Sequence, residues 1–504
     1  MTAARMFVAV VAAAACLAMP TAAADSRESP PPVGAPRPLT IAEPVLRTLH
    51  NGMRVVVMPR RGLPVVTALL AVRTGTEADP APLAGLADLT ATLLTKGTTR
   101  RTAPQIAEAA EALGGELASG ADWHRAMLTL TVTRPQLAAA LDLLADVARH
   151  PTFAPAELAR ARRQALDALS VALAQPGSVA RMAADRAAFG GSTYGHPPHG
   201  TPASLARIRR SDVVALHARH FRPDNATLVF AGDIDTGDAV RLAEAAFGGW
   251  RKPPSPLPAV AVTPAQPTAR NPIVVDMRES GQAGIVVAMP SIARGAPDYY
   301  PGVVANALLG AGYSSRLNQE IRIKRGLSYS AGSELDARRA GGVFAASAQT
   351  RNAAAAEVLA LILDEIEKVR REPAPADELE ARKLALIGGV SRSLETTEGL
   401  ASRLALLEAN GIDVAEVVHV IDRIAQVTPQ QVQAYAEAHW RRGDLRVVIA
   451  GEAAQFVDAV QSGHPGTLVI GQADLDLDEP GLVRSAPTTR DILPAPPPKR
   501  SLRR

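Results

Sequence analysis

The sequence predicts an α+β fold built twice, and three observations predict it. Stretches with strand alternation and stretches with helical spacing follow one another along the chain, as in domains that pack helices on a sheet. Two separate segments recur at nearly one offset. Val213 to Gly232 (VVALHARHFRPDNATLVFAG) aligns without gaps on Val432 to Gly451 (VQAYAEAHWRRGDLRVVIAG), 219 residues later, with His220-Phe221-Arg222 in register with His439-Trp440-Arg441. Ala161 to Leu166 matches Ala381 to Leu386 at an offset of 220. Between the copies, Pro253, Pro254, Pro256, Pro258, Pro264, Pro267 and Pro272 crowd one stretch, which suits a stiff, extended linker over 251–272. A duplicated unit of roughly 200 residues follows.

Taken in order, the chain opens with Arg5, an apolar run from Met6 to Ala18, and Thr21-Ala22-Ala23-Ala24 before Asp25. Charged start, apolar middle and A-x-A site together read as a secretory signal over 1–24, cleaved in the mature chain. The run is too short to span a bilayer, so no stable membrane span is expected and the chain is periplasmic or secreted. The single cysteine, Cys16, lies inside this segment. The mature chain would then have neither thiol nor disulfide, and Ala13-Ala14-Ala15 is a poor lipobox for a lipid anchor on Cys16. Residues 25–44 are rich in proline and polar residues and read as a flexible lead-in.

A first domain is expected over 45–250. Asn51-Gly52 supplies a tight turn between strands around Leu49 and Met58. Pro64 to Val72 reads as a strand, Gly85 to Leu94 and Pro104 to Leu113 as helices, and Met127 to Val132 as a half-buried strand. Leu137, Leu141, Leu144 and Val147 form one apolar stripe of a long helix, a second begins near Pro155, and Ser211 to His220 is another before the strand Ala226 to Ala231. A second domain is expected over 273–465. From 478 to 504 the chain turns acidic, then proline- and arginine-rich, as a disordered tail does.

Composition excludes little but points away from polyanions. With 47% hydrophobic and 21% charged residues the chain is of the soluble globular kind. Its net charge is only +4 on 54 basic and 50 acidic residues, and no nucleic-acid module is present in the sequence.

The most informative stretch runs from Leu308 to Ser330 (LLGAGYSSRLNQEIRIKRGLSYS). It reads as a glycine turn, a helix capped on Ser314 or Ser315, a stop at Gly326 and a strand from Leu327. Arg322 then lies near a helix end and Tyr329 on the next strand. Such a pair can converge on one carbonyl oxygen; equally, Arg322 is a solvated charge and Tyr329 an ordinary strand aromatic.

The shape G-x-x-SSRL-x-QE-x-R-x-x-RGL-x-Y resembles the C-terminal half of the pitrilysin/insulinase superfamily of zinc peptidases, the inverzincins, in their short processing-peptidase form. The resemblance implies two α/β-sandwich halves, each an antiparallel sheet plus helices. It implies that Arg322 and Tyr329 hold a substrate carbonyl opposite a zinc, and that Gly310 and Gly312 form a glycine-rich turn along substrate. The turn is shorter than in the mitochondrial non-catalytic subunit, so the chain looks more like the bacterial heterodimer type.

The same resemblance implies an H-x-x-E-H motif between Gly85-Leu86-Ala87 and Lys96-Gly97-Thr98, one helical turn putting two imidazoles on a metal. The residues there are Asp88-Leu89-Thr90-Ala91-Thr92. Asp88 stands for the first ligand, Ala91 for the general base, Thr92 for the second ligand and Ala168 for the third. Neither alanine nor threonine supplies the donors zinc prefers, so no zinc is expected on this chain. His217 with His220, and His196 with His199, have spacings that can chelate, but His220 recurs as His439, which favours packing or capping. Asn225-Ala226-Thr227 is formally a glycosylation sequon and carries no assigned function.

Short members of the superfamily work in pairs, one chain carrying zinc and its partner the Arg/Tyr pair. The expectation is therefore a non-catalytic, substrate-binding and oxyanion-stabilising subunit of a heterodimeric periplasmic zinc endopeptidase. Its partners are a homologous subunit with intact H-x-x-E-H and a peptide substrate. A catalytically inert scaffold or peptide-binding protein of the same fold is the alternative; a self-sufficient zinc peptidase with displaced ligands is a third.

Overall fold

The computed structural model describes residues 41–268 and 271–484. The signal segment, nearly all of the lead-in and residues 485–504 lie outside them. Six strands form the first sheet: β1 (Val45–Thr48), β2 (Arg54–Pro59), β3 (Val65–Val72), β4 (Ala118–Ala121), β5 (Ala126–Thr133) and β6 (Ala226–Gly232), in the order β1-β2-β6-β3-β5-β4. Asn51-Gly52 makes the expected first turn, with Gly52 at φ 89°, a conformation that favours glycine.

Six more form the second: β7 (Ile273–Asp276), β8 (Ala283–Ser291), β9 (Ser328–Asp336), β10 (Gly342–Thr350), β11 (Arg446–Gly451) and β12 (Leu468–Gly471), in the order β12-β7-β11-β8-β10-β9. Five positions correspond, β2, β6, β3, β5 and β4 matching β7, β11, β8, β10 and β9. Pairing is antiparallel except where β2 meets β6 and where β7 meets β11 and β12. Those parallel pairs are joined by long helical connections, which parallel neighbours require. The second half runs past 465, because β12 belongs to its sheet.

The first half carries α1 (Leu86–Leu94), α2 (Ala103–Ala112), α3 (Leu137–Arg149), α4 (Pro155–Leu173), α5 (Pro176–Phe189), α6 (Pro202–Arg207), α7 (Arg210–His220) and α8 (Thr236–Phe247). The second carries α9 (Tyr299–Leu309), α10 (Ala355–Arg371), α11 (Ala376–Ser393), α12 (Thr397–Ala409), α13 (Glu416–Ala425), α14 (Pro429–His439) and α15 (Val457–Gly463). Segments that repeat in sequence coincide in structure: α7-β6 with α14-β11, and α4 with α11.

Strand alternation sends successive side chains to opposite faces, and here both faces are buried. Val55, Val57, Ala68 and Leu70 enter a core with α1 to α4 and α6 to α8. Their neighbours Val56, Met58, Leu69 and Ala71 pack instead on Leu400, Ala401, Leu404 and Ala405 of α12, from the other half. The second sheet mirrors this. Ile285 and Val287 face its own helices, whereas Val286 and Ala288 pack on Val179, Ala183 and Ala187 of α5. The two halves therefore exchange one helix each, α5 and α12.

The linker has no helix or strand over 251–268. Arg222, buried and ion-paired to Asp224, donates to the Ser255 carbonyl at 2.8 Å and ties the linker to the first half. At the other end, Leu482 is fully buried and Thr201 donates to Asp478 at 2.9 Å. Residues 478–484 thus belong to the fold, where a disordered tail was expected from 478, because Leu477 and Leu482 cover the face on which α5 lies. No helix among the described residues is long and apolar enough to cross a membrane.

Candidate functional site

Two glycines at the end of α9 have different jobs. Gly310 is buried, and a Cβ there would lie 2.2 Å from the Ser333 backbone nitrogen. Its missing side chain lets the turn press on β9, so this glycine serves the fold and does not front a ligand. Gly312 sits at φ 123° with nothing within 4 Å of a Cβ; it is the open one.

The next segment is a π-type turn, Asn318–Ile323, a rare form often found at functional positions. Lys324 N–H bonds the Gln319 carbonyl at 2.9 Å. Gly326, at φ 62°, ends it as expected. Its N–H bonds Arg322 O, and Leu327 N–H bonds Ile321 O, both at 2.9 Å and each one residue wider than in an α-helical cap. The expected serine hydroxyl cap does not form. Ser315 stands at the helix start, its carbonyl accepting from Gln319 N–H at 2.9 Å, but its hydroxyl is buried without a partner, and Ser314 accepts from Arg382.

This geometry brings Arg322 and Tyr329 together. The guanidinium carbon is 4.7 Å from the Tyr329 ring centroid and 5.1 Å from that of Tyr313, within cation–π range of both. Tyr329, on edge strand β9, is 85% exposed, and Tyr313 is 66% exposed. The other cations of the turn are neutralised. Arg316 makes a two-pronged contact with Glu378 at 3.0 and 2.7 Å, and Lys324 and Arg325 both meet Glu320. Arg322 alone of the four has no hydrogen-bond or ion-pair partner among the described residues. It is a free donor on an exposed aromatic surface.

The position of the expected zinc motif is α1. Asp79 anchors the helix start, accepting from Gly85 N–H at 2.9 Å and Ala87 N–H at 2.8 Å. Asp88 Oδ2 lies 3.1 Å from His199 Nδ1, a contact that raises the imidazole's pKa. Ala91 is fully buried, Thr92 is half-buried, and Ala168 is exposed on α4. The one carboxylate present is therefore engaged by a histidine, and the other three positions have no donor fit for zinc. Among the described residues no group of three or more His, Cys, Asp or Glu could hold a metal. A zinc ion does not fit these residues.

The other histidines with chelating spacing are packed. His217 Nε2 bonds the Ala148 carbonyl at 2.9 Å, and its ring lies between Phe153 and Phe221. His220 Nδ1 meets Thr74 at 3.3 Å. Burial pulls the pKa values of His196, His217 and His220 down to about 4. Asn225 is buried and bonded to Thr74 and the His220 carbonyl.

Residues 54–201 match the model described as Insulinase (Peptidase family M16), and residues 207–386 match that described as Peptidase M16 inactive domain. The chain belongs to the insulinase family, M16. An uncharacterized zinc protease of Streptomyces coelicolor is 28% identical over 406 residues, 80% of this chain and 88% of that protein. The zinc protease YmxG of Bacillus subtilis, also uncharacterized, is 24% identical over 71% of this chain and 86% of its own. Among solved structures, a peptidase M16 inactive domain from Pseudomonas fluorescens superposes with a TM-score of 0.76 at 26% identity, covering 81% of this chain and 98% of that one. A protease from Helicobacter pylori shares the fold, with a TM-score of 0.77 at 17% identity over 82% and 100% of the two chains.

Several residues of this M16 chain escaped sequence reasoning. Tyr313 stands within the quoted motif, yet nothing in its spacing shows that it flanks Arg322. His199 closes on Asp88 across 111 residues. A buried junction also joins the halves. Glu77 contacts His124 and, at 3.1 Å, Arg339, whose backbone N–H donates to His124 Nε2 at 3.1 Å.

Proposed function

We propose that this M16 chain is the non-catalytic subunit of a heterodimeric zinc endopeptidase acting outside the cytoplasm. It binds an extended peptide and places two hydrogen-bond donors on the scissile carbonyl, while a homologous partner with an intact H-x-x-E-H supplies the metal. The observation that carries this reading is the free, tyrosine-flanked Arg322 guanidinium on a chain whose α1 has lost its ligands. A guanidinium N–H and the Tyr329 hydroxyl both donate, and a peptide carbonyl oxygen accepts more strongly as it gains negative charge. Gly312 leaves backbone room beside them. The corresponding strand orders of the two sheets support duplication of one ancestral unit, and the reading of residues 1–24 as a signal supports export.

Reconstitution with a zinc-bearing M16 partner tests the reading. Arg322→Ala and Tyr329→Phe should each lower peptide turnover by about 10²–10³ without preventing assembly. Unchanged turnover would instead leave an inert scaffold. Stoichiometric zinc in the purified chain would contradict both.

A further inference from the structure

Between the loop after α5, the linker and the folded C-terminal segment lies a cavity of about 540 Å³, lined by neither Arg322 nor Asp88. Arg186, Ser192, His196 and Arg219 are on its wall. Arg186 is only 7% exposed. Its guanidinium donates to the carbonyls of Gly190 and Asp478, and Nε has no partner; among the described residues no carboxylate comes within ion-pair distance, and Asp478, Glu479 and Asp476 offset its burial only from farther off. The Ser192 hydroxyl and His196 Nε2 are likewise buried and unpartnered; Asp79 is 3.9 Å from that nitrogen, beyond hydrogen-bond reach. Arg219 stands exposed, with no partner among the described residues.

A buried charge is costly unless an opposite charge and hydrogen bonds compensate it. Here one buried cation and two further polar groups without a protein hydrogen bond, the Ser192 hydroxyl and His196 Nε2, stand on the wall of one cavity. We propose that this cavity holds the carboxylate of a free amino acid or short peptide, with Arg186 and Ser192 donating to it and Arg219 drawing it in. The opposite charges on the wall decide against a phosphate. Glu77, Asp79 and Asp478 also line the cavity. Glu77 is engaged by His124 and Arg339, Asp79 by the α1 backbone, and Asp478 by Thr201. Glu77 and Asp478 repel a dianion more than a monoanion, Asp79 adding less because burial raises its pKa, whereas the ammonium end of a zwitterion is attracted to Asp478. Pro258, Val260 and Pro480 leave an apolar margin for a small side chain.

The site shares no residue with the Arg322 surface, so its test is independent of the peptidase reading. The purified full chain is titrated by calorimetry and melted with L-alanyl-L-alanine, with the same dipeptide amidated at its C-terminus, and with inorganic phosphate. The free dipeptide should bind and raise the melting temperature; the amide should bind at least about tenfold more weakly, as loss of a charged hydrogen bond implies, and phosphate should not bind. Ser192→Ala and Arg219→Ser, neither of which disturbs packing, should each weaken dipeptide binding about five- to tenfold. Arg186→Gln, if it melts like the parent, should abolish it. Absence of dipeptide binding, equal binding of the amide, phosphate binding alone, or indifference to both Ser192→Ala and Arg219→Ser would each overturn the proposal.

Discussion

The Glu408 carboxylate of α12 lies 2.8 Å from the Arg54 guanidinium of β2, an ion pair that joins one half of the chain to the sheet of the other. Arg73 stands at 4.0 Å from the same oxygen. Burial nevertheless wins over both cations and raises the Glu408 pKa above its ordinary 4.5. A carboxyl raised in the folded state contributes stability that is fully present below the unfolded value and is lost as pH rises through the folded one. Glu408→Gln should therefore leave the melting temperature at pH 7 unchanged or higher, with the advantage vanishing near pH 4. A clear loss at pH 7 would show the charge to be a net stabiliser.

Buried histidines act in the opposite direction. His196 and His217 fall from 6.5 to about 4 because burial disfavours the imidazolium. Their contribution is present above about pH 6.5 and is lost as pH falls toward 4, each worth roughly 3 kcal/mol at full effect. Urea unfolding from pH 7.5 to 4.5 should show this decline. His217→Gln, which keeps a donor for the Ala148 carbonyl, should flatten it.

Exchange of α5 and α12 makes the halves one folding unit. Leu404, fully buried against the first sheet, should cost about 2–5 kcal/mol when changed to alanine. Because Trp123 and Trp250 report the first half and Trp440 the second, tryptophan fluorescence and far-ultraviolet circular dichroism should lose signal in one coincident transition. Cutting the exposed linker near Ala259 should leave the two pieces together on gel filtration. Separate transitions would mean that the exchanged helices contribute little.

Gly310→Ala would drive a Cβ to 2.2 Å from Ser333 N. A cost of about 1–3 kcal/mol is expected, as for other overpacked sites, read as a lower urea midpoint. Rescue by nearby side-chain rearrangement is not open to it, since the obstacle is backbone.

Tyr313 should matter to Arg322 without bonding to substrate. In the reconstituted peptidase, Tyr313→Phe keeps the ring over the guanidinium and should be near neutral, while Tyr313→Ala should lower turnover by several-fold, in line with about 0.5–1 kcal/mol for an exposed cation–π contact. Equal activity of both variants would leave Tyr313 without a role at this surface.

Much of this was legible along the chain. An apolar run gave β3, alternation gave β5 and the strand after the Ser211–His220 helix gave β6, all nearly to the residue; Asn51-Gly52 gave the first turn, and Gly326 gave the stop after Arg322. The idle serine was not: Ser315 stands at the helix start with its hydroxyl buried and unpartnered, and spacing does not show where a hydroxyl points. Gly310 and Gly312 look alike in sequence; only β9 packing on one of them separates their roles.

Sequence by itself determined the repeated helix and strand pattern and the absence of zinc-fit donors at Ala91, Thr92 and Ala168, because periodicity and side-chain chemistry are written residue by residue; the roles expected of Asp88, Arg322 and Tyr329 came from the family resemblance. Tertiary structure decided that α5 and α12 change halves. Both are buried on several sides, so neither has the single apolar stripe that marks a surface helix. It also decided which arginine is free, since Arg316, Lys324 and Arg325 differ from Arg322 only in having a carboxylate within reach.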